Sequence, residues 1–314
     1  MTTRLLARPC VSSVAGVIAR MSCCVPAAAL TLAVQRGGSG TARVRDARVG
    51  VGPLDLHVRV RGQGPAPPVL LLHGLTGISW EWDPIAARLA RGRRVVAADA
   101  RGHGASDPAA DYAPARMVED VGGVVAALGL GRVALVGHSM GALIGLLFAA
   151  ARPDAVERLV LVDAGPETLT PQACEAWSAW LREAHTRRYA DAGEAFAEWR
   201  ASNPRAREAE VRHYIAHSLV PADGGLRWRY DAAGLQGFLA LPPSSGELWA
   251  ALRDVACPML ILRGAHSDML TAPVAQRMAL QARDGTLAEI AGGAHDLTVE
   301  QPRALAAAID AFVA

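Results

Sequence analysis

Residues 133–142 read VALVGHSMGA. A short run of apolar residues ends in a serine held between histidine and methionine, with a glycine two positions away on each side, and small apolar residues follow. A hydroxyl gains nothing at the tip of a buried strand. The pattern becomes intelligible if Gly137 and Gly141 let two backbone segments pass closely through a tight strand-to-helix turn that lifts Ser139 clear of the sheet. The Met140 amide then lies at a helix N-terminus, where it can face developing negative charge.

The same kind of apolar run recurs on both sides of this turn: VLLLHG (69–74), RVVAADA (94–100), ERLVLVDA (157–164), PMLILRG (258–264) and TLAEIAG (286–292). Continuous apolar runs indicate strands buried on both faces. Between them the spacing predicts helices over 80–90, 114–128, 140–152, 272–281 and 302–313. An opening stretch, ARVGVGPLDLHVRVRG, alternates on either side of Gly52-Pro53 and predicts an antiparallel hairpin. Strand and helix in alternation imply an α/β fold: a mostly parallel central sheet with helices on both faces and functional residues at the carboxyl ends of the strands. From about 165 to 252 the rhythm stops. This interval shows helix-like stretches, no convincing strand, and five of the seven tryptophans (177, 180, 199, 228, 249), so it predicts an inserted helical lid. The core is expected over 47–164 and 253–314.

Composition narrows the classes of function. The 314 residues have 51% hydrophobic content and a net charge of +2, with arginine as the only strong base, since lysine is absent. Six arginines and no acid fall within residues 1–45, leaving 26 arginines against 30 acidic residues in the rest. A mildly acidic body lacks the clustered cation that nucleic acid needs, so nucleic-acid binding is excluded. The five cysteines show no zinc spacing, which suits a reducing, cytoplasmic compartment. Residues 1–46 read as an N-terminal extension outside the folded domain, with Met21 as an alternative start. A signal peptide ending near Ala27–Ala29, and hence export or organelle targeting, is the competing reading. Arg20 divides the apolar run, so no membrane span is expected there.

A serine hydroxyl is a weak nucleophile until a base takes its proton and donors hold the resulting oxyanion. Leu75, in LLLHGLTG, offers a second backbone amide beside that of Met140. His73 in the same segment is read as bracing this loop and bordering the substrate, not as a base. In architectures of this kind the base comes late in the chain, and AGGAHDL offers His295. The acid should lie between: LRGAHSDML supplies Asp268, whose loop directly precedes the strand leading to His295. Asp163, at the tip of LVLVDA, is the alternative acid. Asp99, Arg101 and His103 are assigned a bracing role. His213 and His217, spaced i, i+4, lack an evident third ligand, so no metal site is assigned, and Asp296 is read as exposed. Trp177, Trp180 and Trp228 are expected to border an apolar substrate.

Taken in order, HGLTG, DARGHGASD (99–107), GHSMG, LRGAHSDML and GGAHDLTVEQP resemble the α/β-hydrolase fold family from about residue 47 to the C-terminus. The resemblance implies a Ser139–Asp268–His295 triad, an oxyanion hole from the Leu75 and Met140 amides, no cofactor, and a lid between the sixth and seventh strands. Ala294 departs from the glycine common before the histidine. Serine at the elbow disfavours the dehalogenases and epoxide hydrolases of this fold, which use aspartate. The expectation is a serine hydrolase, first a carboxylic ester hydrolase of a small or medium apolar molecule acting through an acyl-enzyme. A carbon–carbon bond hydrolase of ring-cleavage products or an enol-lactonase comes second, and a non-catalytic ligand receptor stands as the contrary class. The partner is a small molecule, and self-association stays open.

Overall fold

The computed structural model describes residues 44–314; the expectations for the N-terminal extension fall almost wholly outside them. Eight strands form one sheet in the order β1-β2-β4-β3-β5-β6-β9-β10. They are β1 Arg45–Val51, β2 Leu54–Arg61, β3 Ala66–Leu72, β4 Arg93–Ala98, β5 Val133–His138, β6 Val156–Val162, β9 Met259–Gly264 and β10 Gly285–Ile290. The β1–β2 hairpin and its junction with β4 are antiparallel; every other pairing is parallel. Ala66, Pro67 and Pro68 extend β3 three residues ahead of the apolar run, across a register shift where the missing N–H donors of the two prolines are tolerated.

Period-two alternation sorts the strand side chains between two cores. Leu70, Val96, Leu135, Leu159 and Ile261 face one side. Val69, Leu71, Val95, Val136, Val160 and Leu262 face the other. Helices α1 (Asp83–Leu89) and α10 (Pro302–Val313) cover the second face, with Ile85, Leu89, Leu305 and Ile309 fully buried. Helices α2 (Pro114–Ala127), α3 (Met140–Ala151) and α9 (Ala272–Gln281) lie on the first. A strand buried on both faces needs no polar alternation, which is why these segments read as unbroken apolar runs.

The insertion between β6 and β9 holds α4 (Pro171–Thr186), α5 (Ala192–Ser202), α6 (Glu208–Ser218), α7 (Gln236–Ala240) and α8 (Ser245–Asp254). Thr170 and Asp191 cap α4 and α5 through their side-chain oxygens. Two features differ from expectation. A two-stranded hairpin, β7 Leu219–Ala222 and β8 Gly225–Trp228, lies where no strand is predicted, too short for periodicity to reveal. Helix α8 packs against α3 and α9, so the last part of the expected lid lies with the core.

The segment after β4 ties lid to core. Asp99 is buried; its carboxylate accepts from His57 Nδ1 at 2.7 Å, the Ser79 amide at 2.6 Å and the Ala105 amide at 3.0 Å. Arg101 forks onto Asp120 at 2.6 and 2.7 Å. The neighbouring backbone joins the lid through Gly104 N–H to the Arg229 carbonyl, 2.8 Å, and Asp231 N–H to the Gly102 carbonyl, 2.7 Å. Burial by itself would raise the Asp99 carboxyl; the His57 bond and charge and the amide donors overcome it and hold the value down at about 2.

A carboxylate depressed in the folded state stabilises the fold above its ordinary value, and that stability disappears as the pH falls through the folded value. Asp99→Asn is therefore expected to lose about 2 kcal/mol at neutral pH. The gap to wild type should begin to narrow below roughly pH 4, where the carboxylate of the unfolded chain takes up its proton, and close as the pH falls through about 2, where the native one does. Urea unfolding of both proteins at pH 7 and pH 3 checks this; an equal gap at both would refute the assignment.

Candidate active site

Ser139 follows β5 directly and occupies a left-handed backbone conformation, φ 53° and ψ −119°, ahead of α3. Such a conformation costs about 1–3 kcal/mol for a residue with a side chain, so the surroundings must impose it. They do so through contact. A Cβ on Gly137 would stand 2.2 Å from the Gly141 carbonyl oxygen, and one on Gly141 would stand 2.5 Å from that of Leu72. The Gly141 amide donates to the His73 carbonyl at 3.1 Å, closing the turn against the end of β3. Two glycines thus bring strand, turn and helix closer than any side chain would permit.

Sheet register then decides the neighbours of the serine. His138 pairs with Val162 on β6, and the Ser139 amide donates to the Val162 carbonyl at 3.0 Å. The next residue on β6 is Asp163, which also turns left-handed, at φ 52°. Among the described residues Ser139 and Asp163 are the two non-glycine positions with positive φ, and they stand at adjacent strand tips. The loop after β10 passes over the end of β9, where the Ala265 amide donates to the Ile290 carbonyl and the His266 amide to that of Gly293. This loop carries His295 above both tips. Its Nδ1 donates to Asp163 Oδ2 at 2.8 Å, and the Ser139 hydroxyl donates to its Nε2 at 3.0 Å.

Asp268 is not the carboxylate in this chain of bonds. It is exposed, six residues beyond Leu262, which pairs with Val162. Its loop supports the acid without supplying it. Gly264 N–H donates to Asp163 Oδ1 at 2.9 Å, and the Ser267 hydroxyl donates to Oδ2 at 2.5 Å. Asp163 is fully buried, with its oxygens filled by these donors and His295. The preference for Asp268 rested on loop order; cross-strand register places Asp163 next to the nucleophile strand instead. Ser267 carries no motif signal beyond its place beside Asp268.

His73 also differs from expectation. It is 1% exposed and does not border the cavity. Nε2 accepts from the Ala100 amide at 3.0 Å, so Nδ1 carries the proton and donates to the Gly74 carbonyl at 2.7 Å. Burial, reinforced by neighbouring His103, lowers its pKa to about 3 and keeps the ring neutral. His73 braces the loop and cannot touch substrate. Nearby, the ring of His103 lies against the Leu75 carbonyl, 2.6 Å away, bracing the residue that carries the second candidate amide. Neither the Leu75 nor the Met140 amide donates to any described acceptor, and both residues border the cavity.

Two further groups escaped the sequence reading. His138, the residue before the nucleophile, donates from Nε2 to the His295 carbonyl at 2.9 Å, and its Nδ1 stands 3.8 Å from a carboxylate oxygen of buried Glu81. Burial by itself would depress this imidazole, but the charge of the neighbouring Glu81 carboxylate raises it to about 9. Burial pushes the Glu81 carboxyl upward as well. The imidazole governs the pair, because it is intrinsically the stronger base and holds the proton. His138 therefore positions the backbone of His295 from below. Glu81 lies in a short 3-10 turn, SWEW (79–82), without any motif to mark it.

The cavity above Ser139 measures about 290 Å³. Trp177, Trp180 and Trp228 border it, together with Tyr214, Tyr230 and Phe238. Asp296, expected to be exposed, is half-buried and borders the same space. His138, His295 and Asp296 bring one donor atom each within 4.8 Å of one another. Both nitrogens of His295 are engaged, with the Ser139 hydroxyl and Asp163, and His138 Nε2 with the His295 carbonyl. His213 and His217 belong to the contact between lid and core: His213 lies 3.3 Å from Asp83, and His217 stacks on Trp80 at 3.6 Å.

A family model described as alpha/beta hydrolase fold matches residues 67–214. The 2-(acetamidomethylene)succinate hydrolase of Mesorhizobium japonicum is 32% identical over 270 residues, spanning 85% of this chain and 94% of its own length. A putative carbamate hydrolase of Variovorax paradoxus is 33% identical over 256 residues, 79% of this chain and 92% of its own. The crystal structure of an E-2-(acetamidomethylene)succinate hydrolase superposes with a TM-score of 0.78 at 29% identity, covering 86% of this chain and 99% of that one. The chain belongs to the α/β-hydrolase fold family. It is a hydrolase of that family, and no helix among the described residues is long and apolar enough to cross a membrane.

The bonding pattern separates the two carboxylates experimentally. Asp163→Asn is expected to reduce kcat by roughly 10³–10⁴, since an amide favours the wrong imidazole tautomer. Asp268→Asn should stay within about twofold of wild type, as expected of a surface change away from the site. Steady-state rates on one chromogenic ester decide it, and the opposite ranking would restore Asp268 as the acid.

The Glu81–His138 pair makes a prediction of opposite pH sign to that of Asp99. An imidazole raised by folding stabilises fully below its ordinary value near 6.5, and that contribution is lost as the pH climbs through about 9. Glu81→Gln should therefore cost about 1–3 kcal/mol at pH 6 and clearly less at pH 9.5, read from thermal unfolding at each pH.

Proposed function

We propose that this chain is a carboxylic ester hydrolase of small or medium apolar substrates, acting through an acyl-enzyme on Ser139. The observation that carries the reading is the unbroken chain of bonds from Asp163 through His295 to Ser139. His295 Nε2 takes the hydroxyl proton as the Ser139 oxygen attacks the ester carbonyl. Asp163 keeps the proton of Nδ1 in place and stabilises the imidazolium. The carbonyl oxygen gathers charge in front of the Leu75 and Met140 amides, the latter at the N-terminus of the 12-residue α3, whose dipole favours an anion there. His295 then returns the proton to the leaving alcohol. Water repeats the sequence in reverse on the acyl-enzyme, releasing acid and free serine.

A second reading is favoured by the relative named for 2-(acetamidomethylene)succinate: the same machinery would hydrolyse that class of bond, or, in its neighbouring form, a carbon–carbon bond of a ring-cleavage product or an enol-lactone. The two cysteines among the described residues are unpaired, which supports a cytoplasmic site of action.

Purified protein should hydrolyse p-nitrophenyl acetate and butyrate and take a fluorophosphonate label at Ser139. Ser139→Ala should abolish the label and reduce kcat at least about 10³-fold. His295→Gln should fall comparably, because residues of such a unit act together. Wild-type protein that neither turns over the esters nor takes the label would overturn the ester-hydrolase reading. Preference for ring-cleavage dienoates or lactones in the same panel would select the second one.

A further inference from the structure

We propose that Ser267 is a positioning residue of the reaction: acting through Asp163, its hydroxyl fixes the carboxylate plane that orients His295. This role rests on the ester-hydrolase reading and adds a fourth side chain to the bonded series of Asp163, His295 and Ser139.

The hydroxyl has one use left to it. Ser267 Oγ accepts from the Met269 and Leu270 amides, each at 3.2 Å. A serine hydroxyl offers two lone pairs and one hydrogen. With both lone pairs taken, the hydrogen goes to Asp163 Oδ2, 2.5 Å away. Ser267 is buried and does not border the cavity, so it reaches the chemistry only through its partner.

The bond matters because of the freedom it removes. The last torsion of an aspartate is broad, and the carboxylate plane can swing unless both oxygens are held. Gly264 N–H holds Oδ1 at 2.9 Å; Ser267 holds Oδ2, the same oxygen that accepts from His295 Nδ1 at 2.8 Å. Without the hydroxyl, the only described partner of Oδ2 is the ring that this oxygen has to orient. The imidazole then loses the fixed reference that keeps Nε2 aimed at the Ser139 hydroxyl, 3.0 Å away.

The loop that delivers the hydroxyl is itself held from beneath. Arg263 on β9, 8% exposed, spreads one guanidinium across the turn. Nε donates to the Leu270 carbonyl at 2.7 Å, Nη2 to the Ser267 carbonyl at 3.0 Å and Nη1 to the Ala265 carbonyl at 3.3 Å. Nη1 also meets Glu289, its register partner on β10, at 2.5 Å. A planar fork fixes several acceptors at once, which a flexible ammonium does not. The Ser267 amide closes the turn on the Gly264 carbonyl at 2.9 Å. A site residue supported in this way keeps the geometry of the group it contacts.

Turnover of p-nitrophenyl butyrate, with active sites counted by fluorophosphonate label, tests the role. Ser267→Ala should lower kcat about ten- to hundredfold, the worth of one hydrogen bond to a charged group, with KM within about twofold of wild type. Ser267→Thr keeps the hydroxyl and should stay within about threefold in kcat. Asp268→Ala, on the exposed next residue, should stay within about twofold and so separates the hydroxyl from general damage to the loop. In the Asp163→Asn background, Ser267→Ala should cost less than about threefold more, because a residue acting through the acid has nothing left to position. A loss independent of the acid would multiply the two effects instead. Wild-type kcat in Ser267→Ala, a loss confined to KM, a threonine variant as slow as the alanine one, an equal loss in Asp268→Ala, or multiplied losses in the double variant would each overturn the inference, while a labelled and active wild type would leave the ester-hydrolase reading standing. A wild type that neither takes the label nor turns over the ester would discard that reading and the role of Ser267 with it.

Discussion

Everything at this site depends on how closely the backbone around Ser139 can approach its neighbours. A left-handed serine between strand and helix is unfavourable by itself. It is held because the Gly137 and Gly141 backbones interlock with each other and with the end of β3. The apolar core contributes the rest, since β5 and α3 are buried along nearly their whole length and cannot relax away from the turn. Strain stored at this point gives a hydroxyl with little freedom and a helix-terminal amide facing the same space.

The second strained residue follows from the first. Ser139 and Asp163 leave adjacent parallel strands at the same level, and the amide of one strand tip is bonded to the carbonyl beside the other. Asp163 thereby receives a site that a solvent-exposed loop residue could not have: fully buried, with Gly264, Ser267 and His295 as donors. The loop containing Asp268 still matters, because it closes over the acid and fills its oxygens. Beneath His295, the Glu81–His138 pair fixes the backbone of the loop from which the base hangs. The site is thus supported on two sides, by a carboxylate on the ring and by an imidazole on the main chain.

The lid adds what the core lacks. Its helices bring aromatic rings over the serine, and its connection to the segment after β4 keeps part of that wall in a fixed position. Tyr214 on α6 donates to the Thr76 carbonyl at 2.9 Å, joining the lid directly to the loop that presents Leu75. The elements that shape the cavity are therefore mechanically continuous with the loop that carries the Leu75 amide.

Much of this was written locally in the sequence. Unbroken apolar runs specified strands buried on two faces, GHSMG specified the turn at Ser139, and the late histidine of GGAHDL could be matched to it by chain order. Period and turn chemistry act over a few residues, so a single stretch reveals them. Which carboxylate bonds to His295 could not be read in this way, because Asp163 and Asp268 both follow strands of similar composition. Only the pairing of β5 with β6 sets one of them beside the nucleophile. The burial of His73, the Glu81–His138 pair, the β7–β8 hairpin and the unpartnered hydroxyl of Tyr230 likewise depend on contacts between segments distant along the chain. The sequence by itself determined which residues are candidates for the site, through local backbone and hydrophobic constraints; the tertiary structure decided which carboxylate bonds to His295 and what the cavity faces, since those depend on register and close packing across strands and lid.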